Sequence, residues 1–188
     1  MKITDVPDAF LVGKIVKSTK KYSGKKHVFH EYALQMDYDS NFPSHLRKKH
    51  LSIAYIFAVN KIIKKIGQTS GKDGIGGCIN FYNRSGQDDP GINRFAVNWF
   101  IREELEKGNQ VDVYMIYMDL IEVSVPGLFR HETIFTPVSA KGIEEVCMRQ
   151  YKEVEKSYPD WNYQESDAKL PHYIHEAYGQ YKIDRSKK

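Results

Sequence analysis

One stretch of the chain, residues 52–84, constrains the fold more than any other. It contains two apolar runs rich in β-branched side chains, residues 53–59 and 62–66, which are separated only by Asn60 and Lys61. Strand-like runs joined by two residues of this kind are typical of a tight β-hairpin. We therefore expect a hairpin at the centre of the fold.

Gly67 follows the second run, and we expect the chain to leave the sheet over residues 67–69. Tyr55 and Lys65 lie ten residues apart on the two strands of the expected hairpin. This spacing brings a phenol and an amine to one end of the sheet. The alternatives are a tyrosine that packs its ring in the core and a lysine that faces solvent.

A glycine-rich segment, residues 71–77, follows the hairpin and holds four glycines in seven residues. No Gly-Lys-Ser or Gly-Lys-Thr sequence follows it, so we expect no nucleotide cofactor. We interpret the segment as a flexible insertion before a short helix that contains Cys78 and Tyr82.

The flanking sequence alternates between strand and helix patterns. Two strand-like runs near the N-terminus predict a β-hairpin with an exposed, lysine-rich link. Further along, apolar side chains recur at helical spacing in two segments, one ended by Gly108 and one preceded by Ser139 as a possible N-cap. The expected strands are residues 10–16, 27–36, 111–118, 121–125 and 133–135, and the expected longer helices are residues 92–107 and 142–158.

These elements predict an α/β (α+β) protein with a small, mostly antiparallel three-stranded sheet flanked by helices. We divide the chain into an N-terminal basic extension with a probable β-hairpin (residues 1–50), a core (residues 51–165) and a basic, aromatic C-terminal tail (residues 166–188). The formal net charge is +4. The cations cluster near the two ends and just before the central hairpin, which suits contact with phosphates.

Composition excludes several other classes. The two cysteines, Cys78 and Cys147, form neither a disulfide framework nor a zinc-binding spacing. The sequence has no long apolar run and no signal-peptide pattern. We therefore expect a cytoplasmic protein that does not contact a membrane.

Several short motifs occur in the order typical of one nuclease superfamily. They are Ile53-Ala54-Tyr55, Lys65-Ile66-Gly67, Cys78 to Tyr82, residues 100–108, residues 111–114 and Pro159-Asp160-Trp161-Asn162. In this order they resemble the GIY-YIG endonuclease superfamily, and most of all its small restriction endonuclease and phage endonuclease II-like branches. The resemblance covers about residues 50–165.

The resemblance implies a phosphodiester hydrolase that uses a divalent cation, Mg²⁺ or Mn²⁺. Tyr55 takes the position of the tyrosine that acts as the base, and Lys65 replaces the tyrosine of the second motif. Tyr82 lies where relatives carry a histidine or tyrosine near the phosphate, and Asn162 matches an asparagine that helps to hold the site. The alternative for Tyr82 is helix packing, and for Asn162 an ordinary turn.

The resemblance also implies a glutamate on a later helix that binds the metal, and helix phase selects between the two candidates. A carboxylate that points toward the sheet has apolar partners three, four and seven residues further on. Glu144 has Cys147, Met148 and Tyr151 at these steps, whereas Glu145 has two charged residues among them. Glu144 is therefore the expected ligand and Glu145 the second choice. The alternative is that both acids only stabilise the helix N-terminus.

The arginine that should hold the phosphate is the weakest match. Cys78 occupies the aligned position, and a thiol cannot replace a guanidinium there. Arg84, at the expected end of the same helix, is our choice, and Arg94 and Arg102 are further candidates. If none of them reaches the site, the chain is a non-catalytic DNA-binding module on the same fold.

The sequence thus predicts a metal-dependent endonuclease of double-stranded DNA, most simply a type II restriction enzyme acting as a homodimer. A phage enzyme that degrades host DNA, or a nuclease directed at RNA, would have the same features. The residues expected to contact the DNA backbone are Lys20, Lys21, Lys25, Lys26, Arg47, Lys48, Arg94 and Arg102.

Overall fold

A computed structural model describes residues 1–18, 32–83, 90–136, 138–166 and 168–186. Short 3₁₀ turns lie at Ile3–Asp5 and Ser44–Arg47. The strands are β1 (Phe10–Lys17), β2 (Leu34–Tyr38), β3 (Ser52–Val59), β4 (Ile62–Thr69), β5 (Val111–Met118), β6 (Ile121–Pro126) and β7 (His131–Thr136). The α-helices are α1 (Gly74–Asn83), α2 (Ile92–Glu106), α3 (Ala140–Glu155) and α4 (His172–Ser186).

The main sheet has five antiparallel strands in the order β2-β1-β5-β3-β4. The expected α+β class is confirmed, but the expected count of three strands is wrong. The difference arises because β1 pairs with the free edge of β5, with Phe10 opposite Met115, and β2 then pairs with β1. The two N-terminal strands therefore extend the central sheet, and β4 forms its other edge.

The central hairpin is confirmed. Asn60 and Lys61 have φ values of 47° and 70°, and two successive residues in this region give a turn whose twist matches the strands. The expected exit at residues 67–69 is wrong. Gly67 pairs with Tyr55 and Thr69 pairs with Ile53, so pairing with β3 continues through the glycine.

Both faces of the sheet are covered by helices. Helices α1, α2 and α4 share one core with Tyr55 and Phe57 of β3. Helix α3 packs on the opposite face against the other side of β3 and β4, where Ile56 and Ile66 lie. Side chains alternate between faces along a strand, so Lys65, which is paired with Phe57, faces the layer of α1 and α2, whereas Ile66, which is paired with Ile56, faces α3.

The longer helices are confirmed with small shifts at their ends. Gly108 follows α2 with φ of 80°, and the Ser139 hydroxyl caps α3 by accepting from the Gly142 N–H at 3.1 Å. The interpretation of residues 71–77 as an insertion is wrong in part, because α1 begins at Gly74 and includes three of the glycines.

The C-terminal segment expected as a tail contains helix α4. Ile174 and Tyr181 of this helix are buried. The Tyr178 and Tyr181 rings pack against Phe95 of α2, with ring centroids 5.3 and 5.6 Å apart. The two short strands expected at residues 121–125 and 133–135 are present as β6 and β7, and they pair with each other in a separate two-stranded sheet. No helix in the described residues is long and apolar enough to cross a membrane.

Candidate active site

A pair of tyrosines forms the centre of the candidate site. The hydroxyl oxygens of Tyr55 on β3 and Tyr82 on α1 lie 2.5 Å apart and share a hydrogen bond. Their rings meet edge to face, with centroids 5.8 Å apart. Both side chains belong to the core, yet both line a cavity of about 330 Å³ that Thr69 and Cys78 also border. The two tyrosines are therefore fixed by the core and by their shared hydrogen bond, and they also border a cavity that could hold a small ligand.

Burial controls the protonation of this pair. It raises the pKa of Tyr55 well above its ordinary value, and the neighbouring Tyr82 raises it further. Burial also raises the pKa of Tyr82, and it raises the pKa of Cys78 to about 12. In the free protein these three groups are therefore neutral near pH 7, and Cys78 is not a nucleophile.

Gly67 makes room for the Tyr55 ring. The two residues lie directly opposite each other on β3 and β4, and a Cβ at position 67 would overlap the Cζ and hydroxyl of Tyr55. The phenol thus crosses β4 at the one point where no side chain blocks it. This is a physical reason for glycine at the end of the second motif.

We expect Gly67→Ala to displace the Tyr55 ring and to lower the free energy of unfolding by about 1–3 kcal/mol, because the core has no space for the added methyl. Chemical denaturation measures this loss. Gly179→Ala is the matched control, since nothing lies within 4 Å of that site on α4 and alanine favours a helix. If Gly67→Ala is as stable as the wild type, the close contact between Gly67 and the Tyr55 ring is contradicted.

Lys65 is a buried cation. It lies opposite Phe57 on the same face of the sheet as Tyr55, and its side chain is only 7% exposed. No hydrogen bond or ion pair of its ammonium occurs among the described residues. Burial lowers the pKa of Lys65, and the charges of Glu165 and Glu144 partly restore it.

Asn162 holds the exposed edge of β4. Its side-chain amide donates to the carbonyl of Ile66 at 2.7 Å and accepts from the N–H of the same residue at 2.9 Å. Beside it, the Trp161 N–H donates to the Lys64 carbonyl. These bonds fix the segment after α3 against the strand that carries Lys65, and Asn162 also donates to Glu165 at 3.2 Å.

The structure separates the two candidate acids on α3. Glu144 is half-buried, whereas Glu145 is exposed and pairs with Lys141 at 3.6 Å. Burial raises the pKa of Glu144, the Glu165 carboxylate raises it further, and Lys65 lowers it. The charge of Glu144 in turn raises the pKa of Tyr55 and of Tyr82. This effect is smaller than that of burial, and it comes from a helix on the opposite face of the sheet.

Two cavities lie on the two faces of the sheet near the site. One of about 310 Å³ is lined by Lys65, Tyr82 and Arg94 together with aromatic side chains. The other, of about 510 Å³, is lined among the described residues by four carboxylates, including Glu144 and Glu165, and also by three cations. The first cavity thus offers the cations of Lys65 and Arg94 to an anionic substrate, and the second contains charges of both signs.

The predicted arginines have different positions. Arg84, our first choice from sequence, lies outside the described residues. Arg94 lines the cavity of Lys65 and stacks on Phe81, with its Cζ 3.8 Å from the ring centroid. Arg102 is buried, where its Nε donates to Asn98 at 2.9 Å and its Nη1 donates to the Tyr32 carbonyl. Its interior position does not suit a contact with DNA.

The remaining predicted DNA contacts fall into two groups. Lys20, Lys21, Lys25 and Lys26 lie outside the described residues. Arg47 and Lys48 line a cavity of about 540 Å³ next to α1, where the Arg47 guanidinium stacks on the Tyr38 ring at 3.9 Å.

Sequence reasoning missed Glu165 and Phe81. Glu165 lies three residues after Asn162, and only the hydrogen bond from Asn162 shows that it belongs to the site. Phe81 has an exposed ring next to Tyr82. An apolar side chain that stays exposed beside a predicted catalytic residue is a signal that a folded structure shows and a sequence does not.

No protein-family profile and no curated protein matches the sequence. Among solved structures, a mutant of bacteriophage T4 EndoII has 15% identity and a TM-score of 0.48, over 86% of this chain and 98% of that chain. The restriction endonuclease HPY188I, in complex with product DNA, has 18% identity and a TM-score of 0.46, over 85% of this chain and 84% of that chain.

The site places an ammonium, a guanidinium and one hydroxyl of the tyrosine pair around one cavity, and a half-buried carboxylate, Glu144, lines a cavity on the other face of the sheet. Such a set can bind a phosphate, hold a water next to it and accept a proton.

Proposed function

We propose that this chain is a divalent-metal-dependent endonuclease that cleaves double-stranded DNA, in the manner of a type II restriction enzyme. The observation that carries the proposal is the ammonium of Lys65. The residue is only 7% exposed and lines a cavity with Arg94 and Tyr82. Its ammonium makes no direct ion pair among the described residues, although the charges of Glu165 and Glu144 act on it. A substrate phosphate in this cavity would give the cation a direct ionic contact.

The roles of the residues follow from their positions. Lys65 and Arg94 bind the scissile phosphate and offset its growing negative charge. The hydroxyl oxygen of Tyr55 accepts a hydrogen bond from the attacking water, and Tyr82 fixes that hydroxyl. Because burial keeps Tyr55 protonated, loss of its proton limits its action as a base, and the rate should increase with pH. Asn162 keeps Lys65 in register by bonding Ile66.

The donor set fits Mg²⁺ or Mn²⁺. Glu144 and Glu165 offer carboxylate oxygens to one cavity, and Mg²⁺ is typically bound by one or two carboxylates plus water and substrate phosphate. No group of three or more metal-binding side chains occurs among the described residues, so a cage made only of protein ligands is not part of the proposal. When bound, the ion would lower the pKa of its water and polarise the phosphate.

Cleavage of both strands by a chain with one site requires two subunits, so we propose a homodimer. One observation favours a second function, a non-catalytic DNA-binding module: the position of the expected arginine holds Cys78, a neutral thiol. In the proposal Arg94 takes over the role of that arginine.

Incubation with supercoiled plasmid in Mg²⁺ or Mn²⁺ tests the function. We expect nicked and linear DNA with the metal and none in EDTA, and little cleavage of RNA. Glu144→Gln should reduce the rate by about 100-fold or more, because the metal supplies several kcal/mol of charge stabilisation. It should also weaken Mn²⁺ binding measured by calorimetry.

Glu145→Gln is the matched control, because it removes the adjacent, exposed carboxylate and should change neither quantity by more than a few fold. DNA binding without cleavage under all metal conditions would favour the binding module. Cleavage of RNA in preference to DNA would reject double-stranded DNA as the substrate.

A further inference from the structure

Phe81 lies where three cavities meet. Its ring is 53% exposed on α1, and it borders the cavity of Lys65 and Arg94, the cavity of Tyr55 and Tyr82, and the cavity of Arg47 and Lys48. No other residue borders all three of these cavities among the described residues. An exposed phenyl ring at this junction separates the proposed scissile-phosphate position from a second cationic surface.

The ring is held in a defined orientation. Arg94 stacks on it, with the guanidinium carbon 3.8 Å from the centroid, and Tyr82 packs edge to face at 5.8 Å. An aromatic ring with a stacked guanidinium is the kind of surface on which unpaired bases stack. The same arginine lines the cavity of Lys65, so the stacking surface and the phosphate position share a residue.

The second cationic surface provides a place for a neighbouring phosphate. Arg47 stacks on Tyr38, and its Nε–H is buried without a hydrogen-bond partner among the described residues. Lys48 is exposed beside it, and Asn80, one residue before Phe81, lines the same cavity. Asp73 is the one carboxylate among the described residues that line this cavity. Cations thus lie on both sides of the Phe81 ring, Lys65 and Arg94 on one side and Arg47 and Lys48 on the other. This charge pattern complements a nucleic-acid strand, in which phosphates flank each base.

We propose that Phe81 is a stacking position for one nucleobase of the DNA strand, displaced from its base stack next to the bond that is cut. The phosphate on one side of this base binds at Lys65 and Arg94, and a neighbouring phosphate binds at Arg47 and Lys48. This inference rests on the proposed function, and it adds that the bound DNA is distorted at the cleavage position.

Fluorescence of 2-aminopurine tests the inference, since this base analogue becomes brighter when it leaves the stack. After the main cleavage positions in a plasmid have been mapped, the analogue is placed in turn at each position near a cut in a short duplex. Binding is then measured in EDTA, where the reaction does not proceed. We expect a rise in fluorescence at one position next to the cut for the wild-type protein.

Phe81→Ala should abolish this rise and weaken binding of the duplex by about 5-fold or more. Phe81→Trp should retain the binding, because it keeps an aromatic surface. Phe135→Ala is the control, since Phe135 is also exposed but lies on β7 in the separate two-stranded sheet. Phe81 is at the surface, so thermal unfolding of Phe81→Ala should match that of the wild type.

Cleavage without a rise at any position would overturn the stacking proposal and leave the nuclease intact. A rise that persists in Phe81→Ala would also overturn it. A wild-type protein that neither cleaves nor binds DNA would reject the proposed function and the stacking position together.

Discussion

Lys65→Met is expected to reduce DNA cleavage strongly and to make the protein more stable. The variant removes the charge of a residue that is 7% exposed and that makes no direct ion pair among the described residues. Methionine keeps most of the side-chain volume, so the free energy of unfolding should rise by about 1 kcal/mol or more. The rate should fall by about 100- to 1,000-fold, as for other groups that stabilise charge in a transition state.

The gain in stability should depend on pH. Burial lowers the pKa of Lys65 below its ordinary value of 10.5. Between the lowered value and 10.5 the unfolded chain binds more protons than the folded protein, so the wild type gains stability as the pH rises. The difference between Lys65→Met and the wild type should therefore be largest at neutral pH and vanish above 10.5.

Urea denaturation at several pH values and a plasmid-cleavage assay measure both effects. Lys64→Met is the matched control, because Lys64 is the adjacent lysine and pairs at the surface with Asp160 at 2.6 Å. Its loss should cost at most about 1 kcal/mol and should leave cleavage within a few fold. If Lys65→Met cleaves the plasmid at the wild-type rate, Lys65 does not take part in the reaction.

Tyr55→Phe is expected to reduce cleavage by about 100- to 10,000-fold, the usual contribution of a positioned acid or base. The variant keeps the ring that packs against Phe57 and Tyr82 but loses the hydroxyl. The Tyr82 hydroxyl then lacks its buried partner, so stability should fall by about 1–3 kcal/mol. Tyr114→Phe, on β5 in the core of the opposite face, should affect neither property strongly.

The pH dependence of the cleavage rate distinguishes a Tyr55 that acts as a base from a Tyr55 that only packs in the core. Because burial raises its pKa well above the ordinary value, a wild-type rate that depends on the phenolate should rise with pH throughout the range in which the protein stays folded. The small residual rate of Tyr55→Phe should lack this rise. The same pH profile for both proteins would mean that Tyr55 only packs in the core.

Local signals predicted the elements that surround the site. The two-residue turn at Asn60 and Lys61 fixed the central hairpin, since both residues adopt the positive φ that such a turn requires. Helical periodicity predicted α2 and α3, and the phase of α3 indicated that Glu144 rather than Glu145 points toward the sheet.

Contacts between distant parts of the chain could not be predicted from local sequence patterns. The fourth and fifth strands join the sheet because Phe10 pairs opposite Met115, and no local pattern specifies that pairing. Helix α4 is not among the predicted elements, although Ile174, Ala177, Tyr178 and Tyr181 recur at helical spacing and pack on one core. The start of α1 in glycines contradicts intrinsic propensity, since glycine disfavours helix interiors.

The residues of the site can be predicted only in part from motif order, and the rest depend on tertiary packing. Motif order pointed to Tyr55, Tyr82 and Asn162. Only tertiary packing showed that Arg94 shares a cavity with Lys65 and that Arg102, eight residues later on the same helix, faces the interior. Arg94 and Arg102 lie on one stripe of the helix, at steps of four residues, and spacing alone does not say that Tyr32 packs over Arg102.

The central claim is that groups from opposite layers of the sheet, Tyr55 and Glu144, serve one hydrolytic site. Single-turnover plasmid cleavage by Tyr55→Phe, Glu144→Gln and the double variant tests it most directly. Residues that act as a unit are strongly non-additive, so we predict that the double variant is about as slow as the slower single variant. Losses that multiply, or single variants that cleave at the wild-type rate, would contradict a shared site.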